Sequence, residues 1–359
     1  VRIKSIDVFI ARLELTRTFR IAYDVINTVD TVYVKLVTEG GIEGWGEAVP
    51  APKITGDSLE TVVGAIKYLR RYLIGRDLSN YLGIWYLMES LLTHNYSAKA
   101  GVMSAILDAL CKCYGIPLYK FLGGSTDRFV TDTTISLDEP EAMAEEAREW
   151  VSKGFRILKI KLGGPISKDI ERVSAIRDAV GDGVELRVDA NQAWGLREAL
   201  NILPKLKELG VTVVEQPLRK DDVSGFKVLR EASPIPIVLD ESVHTSKDLI
   251  RLCDLGDGVN IKLAKCGGVV EALRIVSIAE ALGKELMIGC MAETGLGLSV
   301  ATHLVAGLGR FKYVDLDADL TLKSQPVKPG FRREGDLMIV SNKAGLGVEV
   351  KESELRRVD

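Results

Sequence analysis

Six charged residues, set at the ends of five short apolar runs, carry the chemistry this chain can do. Lys159 and Lys161 end Phe-Arg-Ile-Leu-Lys-Ile-Lys, Asp189 ends Val-Glu-Leu-Arg-Val-Asp, and Glu215 ends Val-Thr-Val-Val-Glu. Asp240 ends Ile-Pro-Ile-Val-Leu-Asp, and Lys262 ends Val-Asn-Ile-Lys. From Lys161 onward the intervals are 28, 26, 25 and 22 residues. That is the length of one strand, one helix and two loops, so the spacing predicts a (β/α)8 barrel whose strand ends hold the site. Three carboxylates on adjacent strand ends would repel one another and raise one another's pKa values unless a cation joined them. An all-oxygen set suits Mg2+ better than zinc. A lone acid at a strand end is commonly a solvated charge, but three in succession at matching register are not.

The lysines supply a proton chemistry. Lys161 ends the second strand and Lys262 the sixth, four apart in a ring of eight, so they face each other across the mouth with the acids to one side. Two bases on opposite faces of a bound carbon are what racemisation or epimerisation needs, with the metal stabilising the enolate between the two proton transfers. Lys159 points the same way as Lys161 by the two-residue period of a strand, and a neighbouring cation lowers the pKa of a base. With three histidines in the chain (His94, His244, His303), base chemistry falls to other residue types.

The elements that must position these groups are legible in outline. Residues 1–124 read as an α+β unit: strands to about residue 55, then helices from an N-cap at Ser58 to the Gly123-Gly124 stop. Residues 125–325 read as the barrel. Its strands are expected at 130–136, 156–161, 185–189, 211–215, 236–240, 259–262, 285–289 and 312–315. Residues 326–359 read as turns and short strands that return to the N-terminal unit. The class is therefore α/β, a barrel with an α+β cap.

Composition bounds the rest. At 359 residues, 47% hydrophobic and net charge −3, the chain is globular and carries no basic footprint for nucleic acid. No run of 18 apolar residues predicts a membrane span. The start, Val1-Arg2-Ile3-Lys4, reads as an edge strand without an apolar leader. Five cysteines, odd in number and without CxxC spacing, argue against a disulfide framework or zinc site. A cytoplasmic location is expected.

As a set, Lys159-Ile-Lys161, Asp189-Ala-Asn191, Glu215-Gln216-Pro217, Asp240-Glu241-Ser242 and Asn260-Ile-Lys262-Leu-Ala-Lys-Cys-Gly-Gly268 resemble the muconate-lactonising subgroup of the enolase superfamily. The resemblance runs almost the whole chain. It implies Mg2+ on Asp189, Glu215 and Asp240, with Asn191 and Glu241 bracing those ligands, and Lys161 and Lys262 as the acid/base pair. Lys265 is the rival for Lys262, which is preferred because it closes the strand. Asp315-Leu-Asp317 resembles the Asp-x-Asp motif of the dipeptide epimerases, where two acids grip the substrate's α-ammonium group.

The alternatives within the subgroup are an o-succinylbenzoate synthase or a muconate-type cycloisomerase, which have no need of such a clamp. From another class, a catalytically silent barrel would have no reason to keep these buried charges. Phe19-Arg-Ile-Ala-Tyr-Asp24 aligns with the mobile capping loop over the substrate's second side chain. Members acting on L-Ala-D/L-Glu carry an arginine at the position matched by Asp24, so an acid there implies a non-acidic side chain, cationic or neutral, unless Lys53 offsets it. The expected partner is a small dipeptide. The family often assembles into homo-oligomers, but no interface is legible in the sequence.

Overall fold

A computed structural model describes residues 1–358. Eight parallel strands form the central sheet in sequence order: Thr133–Ile135, Ile157–Lys161, Glu185–Asp189, Val211–Glu215, Ile237–Leu239, Gly258–Ile261, Glu285–Ile288 and Tyr313–Val314. The two end strands meet, since the Asp132 amide donates to the Val314 carbonyl at 3.0 Å and the Leu316 amide to Thr131 Oγ1 at 2.9 Å. The sheet therefore curls into a barrel, with helices such as Pro140–Ser152, Ile166–Val180, Leu196–Glu208 and Val269–Ala281 packed outside. The strands are apolar runs because both faces are buried.

One expected strand is divided. Arg128–Val130 pairs with Leu337–Val340 in a separate three-stranded sheet, and only Thr133–Ile135 enters the barrel. Thr131 and Asp132 between them are fully buried and hydrogen-bonded, a role that β-propensity does not reveal.

The N-terminal region is an antiparallel sheet of Ile3–Ile21, Asp24–Thr38 and Glu43–Ala48, backed by helices. Ile3–Ile21 is not an edge strand, because Phe9 and Ile10 also pair with Arg357 and Arg356 of the returning tail. The helix Leu59–Leu73 starts at Ser58, whose hydroxyl and Thr61 cap each other's backbone. Tyr96–Tyr114 is buried continuously from Ser97 to Cys111. Gly44-Trp45-Gly46 allows this helix to approach, since a Cβ on Gly46 would lie 2.0 Å from the Gly101 carbonyl oxygen.

The segment Phe19–Asp24 is no loop. Both long strands continue through it, Phe19 opposite Ile26 and Ile21 opposite Asp24, so the hairpin turns at Ala22-Tyr23 over the barrel mouth. Among the described residues no helix is long and apolar enough to cross a membrane, and all five cysteines are free.

Candidate active site

The strand ends do bring the charges together. Lys161 Nζ lies 2.6 Å from Asp189 Oδ2. Lys159 Nζ lies 2.6 Å from Glu215 Oε2, 2.7 Å from Asp315 Oδ2 and 3.4 Å from Asp189 Oδ2. Asp240 is held by Lys262 at 2.8 Å and by Lys265 at 2.5 Å. All of these side chains are buried. Lys265 Nζ also donates to the carbonyls of Asp240 and Asn260, so its protons are spent on backbone and carboxylate.

The backbone at these strand ends is held in an unusual shape. Asn191 (φ 41°), Gln192 (φ 68°) and Gln216 (φ 37°) adopt the left-handed region just beyond Asp189 and Glu215. Non-glycine residues enter that region at a cost and cluster at functional sites when their surroundings impose it. Gln216 accepts from the Asp240 amide at 2.8 Å and donates to Ser242 Oγ at 2.7 Å, which ties the fourth strand end to the fifth.

Burial and charge set the protonation pattern. Burial, then the charges of Asp189 and Asp240, push Glu215 up to about 7 against the pull of Lys159. Burial opposes the ionisation of Asp240, yet Lys262 and Lys265 hold it well below the usual carboxylate range. Burial would lower Lys262, but Asp240, Glu215 and Asp189 together outweigh it and keep the lysine cationic. Asp315, Glu215 and Asp189 do the same for Lys159.

Several polar atoms here lack any hydrogen bond: Glu215 Oε2, Glu241 Oε2, Asn191 Oδ1 and Asn260 Oδ1. The Lys159–Glu215 contact is thus an ion pair without hydrogen-bond geometry. Orphaned buried oxygens are costly and ask for a partner. Together with three carboxylates on successive strands, they fit a hard divalent cation. Asn191 Nδ2 donates to Glu241 Oε1 at 3.2 Å, and the Tyr23 hydroxyl reaches the same oxygen at 3.3 Å.

Between barrel and cap lies a cavity of about 290 Å³. Its barrel side presents Lys161, Lys262, Asn191, Cys290, Asp315 and Asp317, whereas Lys265 does not line it. Its cap side is apolar, with Leu15, Phe19, Ile21, Ile26, Pro50 and Ile54. Cys290, Asp315 and Asp317 place a ligand atom each within 4.8 Å of one another. Cys290 and Asp317 form a hydrogen-bonded pair, because burial keeps the thiol protonated and its Sγ donates to Asp317 Oδ1 at 3.6 Å. Burial and the charge of Asp315 lift Asp317 to about 6. Asp24 and Lys53, at the rim, form an ion pair of 2.7 Å, and Lys53 also donates to the Tyr23 carbonyl.

Two side chains at the site are not legible as site residues in the sequence: Tyr23, and Thr134, whose amide donates to Asp317 Oδ2 at 2.6 Å. Tyr23 belongs to the Phe19–Asp24 stretch, but its reach to Glu241 depends on the hairpin. Thr134 carries no signal of its own.

The N-terminal domain described as mandelate racemase/muconate lactonizing enzyme matches residues 5–123, and the enolase C-terminal domain-like family matches residues 142–354. The chain belongs to the enolase superfamily. Within it, the chain is similar to the L-Ala-D/L-Glu epimerase of Bacillus subtilis (strain 168), 40% identical over 93% of both chains. It is also similar to the hydrophobic dipeptide epimerase of Enterococcus faecalis, 39% identical over 97% of this chain and 99% of that one. The structure of the dipeptide epimerase from Enterococcus faecalis V583, complexed with Mg and L-Leu-L-Tyr, superposes with a TM-score of 0.95 at 38% identity, over 97% of this chain and 100% of that one. This enolase-superfamily chain therefore falls in the dipeptide epimerase group and is an isomerase.

Proposed function

We propose that this chain is a Mg2+-dependent dipeptide epimerase that inverts the α-carbon of the C-terminal residue by transferring a proton between two lysines. The observation that carries this reading is that Lys161, Lys262, Asp315 and Asp317 line one cavity. A cycloisomerase or an o-succinylbenzoate synthase would use the lysines, but it would have no use for the paired acids.

Asp189, Glu215 and Asp240 would hold the metal, with Glu241 and Asn191 bracing its surroundings. When bound, the cation supplies fixed positive charge for the substrate's carboxylate and competes with Lys161 and Lys262 for Asp189 and Asp240. Asp315 and Asp317 grip the α-ammonium group. Lys161 and Lys262 face the α-carbon from opposite sides, and in each turnover the neutral lysine removes the proton while the protonated one delivers a proton to the other face. Lys262 Nζ lies 2.8 Å from Asp240, so a cation held by Asp240 would free this lysine to face the α-carbon. Lys159 is a fixed cation between Glu215 and Asp315, close enough to Asp189 to share that carboxylate with Lys161.

The second side chain meets an apolar cap. Asp24 is answered by Lys53, which removes most of its reason to select a cation, and the relative that acts on hydrophobic dipeptides supports the same direction. The substrates favoured are dipeptides with an apolar C-terminal residue. The test is incubation of a mixed dipeptide library in D2O with Mg2+, read by mass spectrometry. A one-dalton gain on L-Ala-L-Leu and its kin, ahead of L-Ala-L-Lys and L-Ala-L-Glu, is the expected result. No exchange on any dipeptide, with Mg2+ bound, would overturn the epimerase reading.

A further inference from the structure

Beside the substrate cavity lies a second one, of about 300 Å³, that the chemistry above does not use. Phe19, Thr134 and Thr321 line both, so these three side chains form the partition. The same partition supports the acid pair: the Thr134 amide donates to Asp317 Oδ2 at 2.6 Å, and its hydroxyl lies 3.4 Å from Asp315 Oδ1. From there the cavity runs between the cap hairpin, at Thr16 and Arg17, and the helix Pro140–Ser152. Buried Trp150 forms its apolar side. Glu146 is its hydrogen-bond acceptor, taking Trp150 Nε1 at 3.3 Å and pairing with Arg17 at 3.2 Å. Arg17 also reaches Glu149, and Lys153 Nζ sits 4.3 Å from the Trp150 ring centre. Arg17 and Lys153 are thus balanced by Glu146 and Glu149, and the cleft carries no net charge.

Resting on the dipeptide reading, we propose that this cavity receives the side chain of the substrate's N-terminal residue and favours long, unbranched side chains ending in a hydrogen-bond donor. In a dipeptide, the ammonium group and the first side chain leave the same carbon. Fixing the ammonium on Asp315 and Asp317 therefore starts that side chain against Thr134 and Thr321, where the partition is made of small residues. An aliphatic stem can lie along Phe19 and Trp150, and a donor at its end meets Glu146, the division of labour long polar side chains adopt on apolar surfaces. Alanine reaches none of this.

The test is the kcat/KM for α-proton exchange in D2O with L-Ala-L-Leu, L-Met-L-Leu, L-Gln-L-Leu and L-Lys-L-Leu, read as ratios so that partial misfolding of a variant cancels. The wild-type enzyme is expected to prefer L-Gln-L-Leu and L-Lys-L-Leu over L-Ala-L-Leu by about fivefold or more. Thr16→Trp, on the exposed hairpin strand, is expected to lower every long side chain relative to alanine. Glu146→Gln is expected to lower lysine relative to methionine. A wild-type preference for alanine, or ratios unmoved by both substitutions, overturns the proposal while leaving the epimerase reading intact. No exchange with any of the four would overturn both.

Discussion

The barrel mouth and the seam between cap, barrel and tail both bury ionisable groups, and they treat them differently. At the seam Glu47, Asp108 and His303 are saturated. Glu47 accepts from Thr31 Oγ1, Thr294 N and Oγ1, and Gly297 N at 2.7–2.9 Å. Asp108 accepts from the amides of Trp45 and Leu346 and from Lys112. His303 accepts the Tyr119 amide at Nδ1, which leaves its other nitrogen to donate to the Leu346 carbonyl at 3.1 Å. At the mouth, by contrast, Glu215, Glu241, Asn191 and Asn260 each keep an oxygen without a hydrogen bond. A saturated buried group fixes architecture, whereas an unsaturated one waits for a ligand. Polar burial of the first kind holds the cap on the barrel, and that of the second kind makes the site.

This contrast can be broken in four ways, from the largest effect to the smallest. Lys161→Met or Lys262→Met should lower epimerisation by on the order of 10³ while leaving the melting temperature unchanged or higher, because a lysine kept for chemistry contributes little to folding. If either variant melted far lower with activity retained, the mouth would belong with the seam. Asp108→Ala should do the reverse. It leaves two buried amides unpaired and should cost about 3 kcal/mol by denaturant titration, with specific activity of the folded fraction preserved.

His303 makes the seam sensitive to acid. Burial depresses it from 6.5 to about 4, so the neutral ring is the folded form. Its contribution is complete above pH 6.5 and is lost as pH falls toward 4, where the unfolded chain takes up a proton that the folded one refuses. The loss should approach about 3 kcal/mol. Denaturation at pH 7 and pH 4.5 measures it, and His303→Gln should flatten that slope. The smallest expected effect is at the rim: Lys53→Met frees Asp24 and should raise L-Ala-L-Lys over L-Ala-L-Leu by about threefold, as suits an exposed pair.

The mouth was legible in the sequence because its charges end apolar strands at intervals of 22 to 28 residues, which composition alone rarely produces. The seam was not. Glu47 and His303 carry no motif, and their partners lie 247 and 184 residues away. Tyr23 meets Glu241 only because Phe19–Asp24 continues a hairpin, and the sequence there reads equally as a loop. The split at Thr131-Asp132 is hidden for a similar reason, since two neighbouring stretches of one β-prone run pair with different sheets. Local pattern locates groups that end an element, but it does not find groups whose role comes from a distant neighbour.

The most direct test of the two-lysine account is stereospecific exchange by the single-lysine variants in D2O with Mg2+. If Lys161 and Lys262 work from opposite faces, each variant should lose epimerisation but still wash deuterium into one epimer, and the two variants should exchange opposite epimers. Exchange of the same epimer by both, or undiminished epimerisation by either, would contradict the account.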